Sequence, residues 1–189
     1  MFFLRLNEKQ LAALRPHVKG KKLHDLGAGD LAQARILARL GATLVVAVDK
    51  EYLVPHTTSK RIQYVRAYFD KYEAADIDNA FLSWPPNTTA YGLVGLVRQA
   101  KTIIYIGKNT DLTMCGDRKL WEYLITREVL EYVPDRRNTL IIYGSVLDKP
   151  RELKGEERGA LEGAVIPLYY DAVEHEEQGI ASIQVQGQP

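Results

Sequence analysis

The stretch KLHDLGAGD, residues 22–30, decides the fold of this chain. It contains a short apolar run that ends in Asp25, and two closely spaced glycines follow. A helical pattern comes next, and a second apolar run, TLVVAVD at residues 43–49, ends in Asp49. This order predicts a β-strand, a tight glycine turn, a helix and a parallel strand, which together can enclose a nucleoside. The glycines let the backbone approach such a ligand, and Asp49 can accept hydrogen bonds from two ribose hydroxyls.

Short apolar runs, many of them rich in β-branched residues, continue along the chain. The predicted strands are Lys22–Leu26, Thr43–Val48, Ile62–Arg66, Asn79–Trp84, Thr102–Ile106 and Thr139–Tyr143. Because these runs are continuously apolar rather than alternating, we expect strands that are covered on both faces, as parallel strands are.

Helical patterns lie between many of these strands. The predicted helices are Asn7–Arg15, Leu31–Leu40, Tyr91–Ala100 and Lys119–Tyr132. Asn7 is typical of an N-cap, and we expect Pro16 and Pro134 to follow the ends of the first and last helices. The alternation of strands and helices predicts an α/β fold with a doubly wound, mostly parallel sheet and helices on both faces.

The pattern changes after Gly144. Residues 146–163 are charged and contain glycine, which indicates a long surface loop. Residues 165–173 and 180–185 flank a polar turn, and they predict an antiparallel C-terminal hairpin that completes the sheet. We expect a single domain over residues 1–189, with residues 1–20 as an N-terminal helical extension.

Composition excludes several classes of protein. The chain has 189 residues, of which 46% are hydrophobic and 26% charged, and its formal net charge is +1. These values argue against disorder and against a strongly basic nucleic-acid-binding protein. Cys115 is the only cysteine, and no His, Cys or Asp residues have metal-ligand spacing, so we predict no disulfide and no metal. With no membrane-length apolar run and no signal-like segment, we expect a cytoplasmic protein.

The glycine turn resembles the first motif of class I S-adenosylmethionine-dependent methyltransferases, an acid followed by Gly-x-Gly. The resemblance implies a seven-stranded sheet with a reversed final strand, and transfer of a methyl group from S-adenosylmethionine. It also implies that Asp25, Gly27 and Gly29 pass under the methionine part of the cofactor, and that Asp49 binds both ribose hydroxyls. The sequence departs from the family at Leu31, which stands near the place of the family's third glycine.

The loop after the third strand is the place where members of this family hold the adenine base. The resemblance implies that Asp70 takes the adenine amino group and that Phe69 packs on the ring. The alternative is structural: Phe69 lies in the core, and Asp70 caps the following short helix.

The run Ser83-Trp84-Pro85-Pro86-Asn87 follows the fourth strand, at the position of the family's catalytic motif. Many amino-methylating members have a polar residue there, then two prolines and an aromatic residue. Here Trp84 takes the polar position and Asn87 the aromatic one. The resemblance implies that Ser83, Trp84 and Pro85 recognise the acceptor, and the Trp84 ring can hold a planar or cationic substrate that presents an amino nitrogen. The alternative is that Trp84 packs on the core beside a rigid turn.

Two other functions remain open from the sequence. Residues 27–32 also fit the Gly-x-Gly-x-x-Gly/Ala pattern of NAD-type dinucleotide binding, with Asp49 at the expected spacing. However, Asp25 and Asp30 disfavour a pyrophosphate and favour a cationic sulfonium. The altered proline motif also fits a non-catalytic module that binds the cofactor or a partner. The acceptor stays open between nucleic acid, protein and small molecule.

Overall fold

The computed structural model describes residues 6–51, 59–74, 76–85, 92–107, 116, 118–136, 138–149, 151–153 and 157. The strands are β1 (Lys22–Leu26), β2 (Leu44–Asp49), β3 (Ile62–Arg66), β4 (Asn79–Ser83), β5 (Thr102–Gly107), β6 (Arg127–Pro134) and β7 (Thr139–Val146). The helices are α1 (Glu8–Val18), α2 (Ala32–Arg39), α3 (Leu93–Val97) and α4 (Arg118–Leu124), and a 3₁₀ helix, Phe69–Lys71, follows β3.

The seven strands form one sheet in the order β3-β2-β1-β4-β5-β7-β6. Strands β1 to β5 are parallel, β7 is antiparallel to β5, and β6 is antiparallel to β7. This arrangement confirms the predicted α/β fold with a mostly parallel sheet and an antiparallel strand pair at its end. The antiparallel pair is β6 and β7, whereas the residues predicted to form a hairpin, 165–173 and 180–185, lie outside the described part of the chain.

Helices cover both faces of the sheet. On one face, α1 and α2 contribute Leu14, Val18 and Leu37 to a buried apolar cluster. On the other face, α3 and α4 contribute buried side chains that include Leu93 and Trp121. Because both faces are buried, the continuously apolar strands predicted from the sequence are confirmed in β1, β2, β4 and β5.

The first predicted helix was wrong at its C-terminal end. Asn7 is the N-cap, as expected, and its side chain accepts a hydrogen bond from the backbone N–H of Gln10. The helix nevertheless continues through Pro16 to Val18. Val18 is fully buried beside Leu14, and burial of such side chains outweighs the one backbone hydrogen bond that a proline near the end of a helix removes.

The predicted helix Lys119–Tyr132 was wrong in its second half. Helix α4 ends at Leu124, and residues 127–134 form β6. Backbone pairing with β7 determines this outcome, since β6 follows β7 from the Arg127–Val146 pair to the Pro134–Thr139 pair, with two irregularities in register. Long-range strand pairing here overrides a helix-like spacing of apolar residues. The third predicted helix is also shorter than expected, since α3 covers only Leu93–Val97.

A buried ion pair attaches the chain after β7 to the sheet. The guanidinium of Arg151 donates to both carboxylate oxygens of Glu157, at 2.5 and 2.8 Å, and Glu157 is fully buried. The Tyr143 hydroxyl donates to the same carboxylate at 2.9 Å. Breaking such a pair leaves an uncompensated buried charge, so Glu157 stabilises the contact between this segment and β7.

Candidate functional site

The candidate site lies where the carboxyl ends of β1, β2 and β4 meet. Strand β2, which follows β1 in the chain, lies on one side of β1, and β4 lies on the other side. Such a reversal of strand order opens a crevice in which α/β proteins bind ligands. Asp25 pairs in register with both Ala47 and Phe81, so the glycine turn after β1, Asp49 at the end of β2 and Ser83 at the end of β4 share this edge.

The glycine turn is held against the end of β2. The backbone N–H groups of Gly27 and Ala28 both donate to the carbonyl of Val48, at 2.8 and 3.1 Å. Gly27 has φ +90° and Gly29 has φ +49°, which are left-handed conformations that glycine adopts at little cost. The turn therefore needs glycine at these two positions for its backbone path.

Leu31, in place of the family's third glycine, takes the left-handed conformation itself, with φ 61° and ψ 15°. For a residue with a side chain this conformation costs about 1–2 kcal/mol. The Leu31 side chain is 1% exposed and packs in the cluster with Ala34 and Leu37 of α2. Burial of a leucine side chain is worth about 1.5–3 kcal/mol, so packing offsets the backbone strain.

The Asp49 carboxylate is fixed by two backbone donors. Gly29 N–H donates to Oδ2 at 2.8 Å, and Glu51 N–H donates to Oδ1 at 2.9 Å. A carboxylate has about four acceptor positions, so each oxygen retains the capacity for a further hydrogen bond. The glycine turn and Asp49 therefore form one unit with a pre-oriented acceptor for a pair of hydroxyls.

Asp25 is a fully buried acid without a described partner. Its side chain is 0% exposed, and neither carboxyl oxygen has a hydrogen-bond partner within the described residues. Burial, and then the nearby Asp49 and Asp30, raise the pKa of Asp25 to about 7. Because an unpaired buried carboxylate is costly, the arrangement favours either a neutral carboxyl or a cation bound close to it.

The 3₁₀ helix Phe69–Lys71 packs between the glycine turn and α3. The Phe69 Cζ atom lies 3.8 Å from the position that a Cβ on Gly27 would occupy. Gly92, the N-cap of α3, has φ +85°, and a Cβ there would lie 2.5 Å from the Asp70 nitrogen. Phe69 is partly buried against the core, and Asp70 lies inside the 3₁₀ helix, whose N-cap is Tyr68.

The loop after β4 has a strained and well-anchored backbone. Ser83, the last residue of β4, is half-buried, and Trp84 has φ +50°, which is uncommon for a bulky residue. The backbone N–H of Trp84 donates to the backbone carbonyl of Ile106 at 2.7 Å. Gly116 N–H donates to the Pro85 carbonyl at 2.6 Å, which leaves one lone pair of that carbonyl for another donor. Strained backbone of this kind is often found at functional sites.

The catalytic-motif positions Pro86 and Asn87 lie outside the described residues. Three residues that the sequence did not single out help to shape the site. Gly92 and Gly116 permit close approach of neighbouring segments, and the Tyr72 hydroxyl is hydrogen-bonded to His24 Nδ1 at 2.9 Å. Their roles depend on contacts between distant parts of the chain, so no local pattern in the sequence indicates them.

Within the described residues, no group of three or more His, Cys, Asp or Glu side chains is arranged to hold a metal ion. None of the helices there is long and apolar enough to cross a membrane.

Comparison with known proteins identifies the fold. No family model and no curated protein sequence matches this chain. Among solved structures, it is similar to a Burkholderia thailandensis 1,6-didemethyltoxoflavin-N1-methyltransferase with bound 1,6-didemethyltoxoflavin and S-adenosylhomocysteine (TM-score 0.56, 13% identity, 74% of this chain and 77% of that one). It is also similar to a ribosomal protein L11 methylase from Lactobacillus delbrueckii subsp. bulgaricus (TM-score 0.54, 16% identity, 76% and 81%). The chain therefore has the fold of class I S-adenosylmethionine-dependent methyltransferases.

Proposed function

We propose that this chain is a methyltransferase that uses S-adenosylmethionine, with Asp25, Gly27, Gly29 and Asp49 in the cofactor site. The observation that carries the proposal is the 2.8 Å hydrogen bond from Gly29 N–H to Asp49 Oδ2. It joins the glycine turn to Asp49, the acid to which the resemblance assigns the ribose hydroxyls. Asp49 then accepts from the two ribose hydroxyls, while Gly27 and Gly29 leave room for the methionine part.

The unpartnered Asp25 carboxyl supports a cationic ligand over an anionic one. S-adenosylmethionine carries a positive sulfonium and a positive ammonium, and it supplies the electrophilic methyl group when bound. Asp30, and Asp25 when it is ionised, provide negative charge beside the turn, which favours these groups. The same charge opposes the pyrophosphate of an NAD-type dinucleotide, which makes that alternative the weaker one.

The adenine base is assigned to Phe69 and Asp70. Phe69 reaches the glycine turn at Gly27, so its ring lies beside the cofactor crevice. The Asp70 carboxylate is 47% exposed and pairs with Lys71 at 3.6 Å, and such exposed pairs are weak. Asp70 is therefore free enough to accept a hydrogen bond from the adenine amino group.

The acceptor side is assigned to Ser83, Trp84 and Pro85. Methyl transfer to an amino nitrogen is an in-line displacement in which the S–CH₃ bond breaks, S-adenosylhomocysteine leaves as a neutral thioether, and the N–CH₃ bond forms. The methylated nitrogen then loses a proton to water. Positioning supplies most of the catalysis of such a step. Ser83 and the remaining lone pair of the Pro85 carbonyl can accept hydrogen bonds from the amine, and the Trp84 ring can hold a planar or cationic substrate. The acceptors named for the similar structures differ in class, so they do not select one here.

A second candidate function is a module that binds the cofactor without methyl transfer. Two observations favour it: Trp84 replaces the polar residue of the family motif, and the Pro85 carbonyl already accepts from Gly116. Incubation with methyl-labelled S-adenosylmethionine and pools of RNA, DNA, protein and small molecules separates the two. Labelled product in any pool supports the enzyme, and tight cofactor binding without product in every pool supports the module.

Titration calorimetry with S-adenosylhomocysteine tests the cofactor site. Asp49→Ala is expected to weaken binding about tenfold to a hundredfold, because it removes hydrogen bonds between a charged acceptor and two hydroxyls. Asp78→Ala is the matched control, since Asp78 is an exposed acid that pairs with Lys101 at 3.0 Å. Absence of binding by the folded wild-type protein, or equal loss in both variants, would contradict the proposal.

A further inference from the structure

The crossover from β3 to β4, residues 67–78, holds the proposed adenine-binding turn. Its described residues contain one helical element, the three-residue 3₁₀ helix Phe69–Lys71. An open groove of about 580 Å³ lies between this crossover and the faces of β1, β2 and β3. Residues lining the groove include Lys22, His24, Val46, Val65, Tyr72 and Asp76. Phe69, Tyr72 and Ala74 of the crossover are only partly buried against the apolar cluster on this face of the sheet, so contacts of individual side chains help to fix its position.

One such contact joins β1 to the residue directly after the turn. His24 is 2% exposed, and its Nδ1 is hydrogen-bonded to the Tyr72 hydroxyl at 2.9 Å. Burial and the nearby Lys22 lower the pKa of His24, which favours the neutral ring. A neutral imidazole has one donor and one acceptor nitrogen, which suits a hydroxyl partner.

A second contact on the same crossover is weaker. Lys22 Nζ and Asp76 Oδ1 are 3.1 Å apart, but their side chains are 40% and 68% exposed. Exposed ion pairs contribute little to stability because water competes for both charges. The hydrogen bond between His24 and Tyr72 is partly buried and less open to competition from water, so it is the stronger attachment of the two.

The opposite side of the turn also has close neighbours. Gly92 lets the N-terminus of α3 approach the Phe69–Asp70 backbone closely, and Phe69 Cζ lies 3.8 Å from the position that a Cβ on Gly27 would occupy. The turn lies between these neighbours and the hydrogen bond from Tyr72 to β1, so loss of that bond would leave fewer contacts to fix Phe69 and Asp70 relative to Gly27.

We propose that the hydrogen bond between His24 and Tyr72 positions the Phe69–Lys71 turn for recognition of the adenine base. His24 and Tyr72 are then positioning residues that act through Phe69 and Asp70. This inference rests on the proposed function. It adds to the cofactor site a residue from the middle of β1, beside Asp25, and a tyrosine from the crossover.

The test compares two ligands that differ only in the base. S-adenosylhomocysteine carries an adenine amino group, and S-inosylhomocysteine carries a keto group in its place. Titration calorimetry on the full chain should show a preference of the wild type for S-adenosylhomocysteine. Tyr72→Phe removes one hydroxyl and should weaken binding of S-adenosylhomocysteine about threefold to tenfold, the scale of one hydrogen bond. The preference of Tyr72→Phe for S-adenosylhomocysteine over S-inosylhomocysteine should also be smaller than that of the wild type.

Tyr68→Phe is the matched control. Tyr68 precedes the same turn and is 63% exposed, and its hydroxyl has no hydrogen bond within the described residues, so its variant should keep the wild-type preference. His24→Leu removes the other partner and should act like Tyr72→Phe, which keeps the test decisive if one variant does not fold.

The outcomes separate this inference from the proposed function. If the folded wild type binds neither ligand, both the proposed function and this inference are wrong. If the wild type binds S-adenosylhomocysteine but shows no preference for adenine, the inference alone is overturned. It is also overturned if Tyr72→Phe and His24→Leu keep the wild-type preference while their melting temperatures fall, because the hydrogen bond would then be merely structural.

Discussion

Replacement of Asp25 by asparagine should change the pH dependence of stability in a defined direction. Burial raises the pKa of Asp25 from 3.8, the value of an aspartate in water, to about 7 in the folded protein. Between these two values the folded protein keeps a proton that the unfolded chain has lost. Stability of the wild type therefore falls as pH rises through this window, whereas the amide in the Asp25→Asn variant cannot titrate.

The magnitude follows from the two pKa values. From pH 5 to pH 8, the free energy of unfolding of the wild type should fall by about 2–3 kcal/mol relative to that of Asp25→Asn, because only the folded wild type holds the extra proton. Urea denaturation at pH 5, 6.5 and 8, followed by tryptophan fluorescence, measures this difference. The m-value should be the same for both proteins if the substitution changes stability alone.

Asp78→Asn is the control, because the Asp78 side chain is 61% exposed. Its stability relative to the wild type should stay within about 0.5 kcal/mol across the same pH range. If the difference between Asp25→Asn and the wild type is also independent of pH, the Asp25 carboxyl is ionised or paired in the folded protein. That result would refute the reasoning from its burial.

Three further predictions follow from the same structure. The affinity of the wild type for S-adenosylhomocysteine should rise about tenfold from pH 6 to pH 8, since the bound ammonium requires an ionised Asp25, and calorimetry should show no such rise for Asp25→Asn. Gly92→Ala places a Cβ 2.5 Å from a backbone nitrogen at φ +85°, so urea denaturation should show a loss of about 2 kcal/mol or more. Gly95→Ala, in the same helix with no atom within 4 Å of the new Cβ, should instead be neutral or stabilising by up to about 1 kcal/mol. Glu157→Gln removes the buried charge that pairs with Arg151 and should cost about 3 kcal/mol in the same assay; a loss below about 0.5 kcal/mol would mean that the pair is solvated.

Most strands of the sheet could be predicted because the apolar run that indicates each strand lies within the strand itself. Strands β1 and β3 have the predicted bounds, and β2, β4, β5 and β7 begin within one residue of the predicted start. The runs in β1, β2, β4 and β5 are mostly apolar because both faces of these strands are covered, whereas β3 lies at the sheet edge and is partly exposed. The closeness of Gly29 and Asp49 was also predictable. When β1 and β2 pair in parallel, the turn after β1 lies beside the end of β2.

The sequence by itself determined the α/β class, the strand–glycine turn–helix–strand unit and the placement of Asp49 beside the turn, because each depends on neighbours in the chain. Only the tertiary structure decided that residues 127–134 are a strand, since their pairing with β7 outweighs a helical spacing. It also decided the hydrogen bond between His24 and Tyr72, which lie 48 residues apart, and the raised pKa of Asp25. These properties depend on burial and on contacts between residues that are far apart in the chain. A local pattern of residues indicates neither burial nor such contacts.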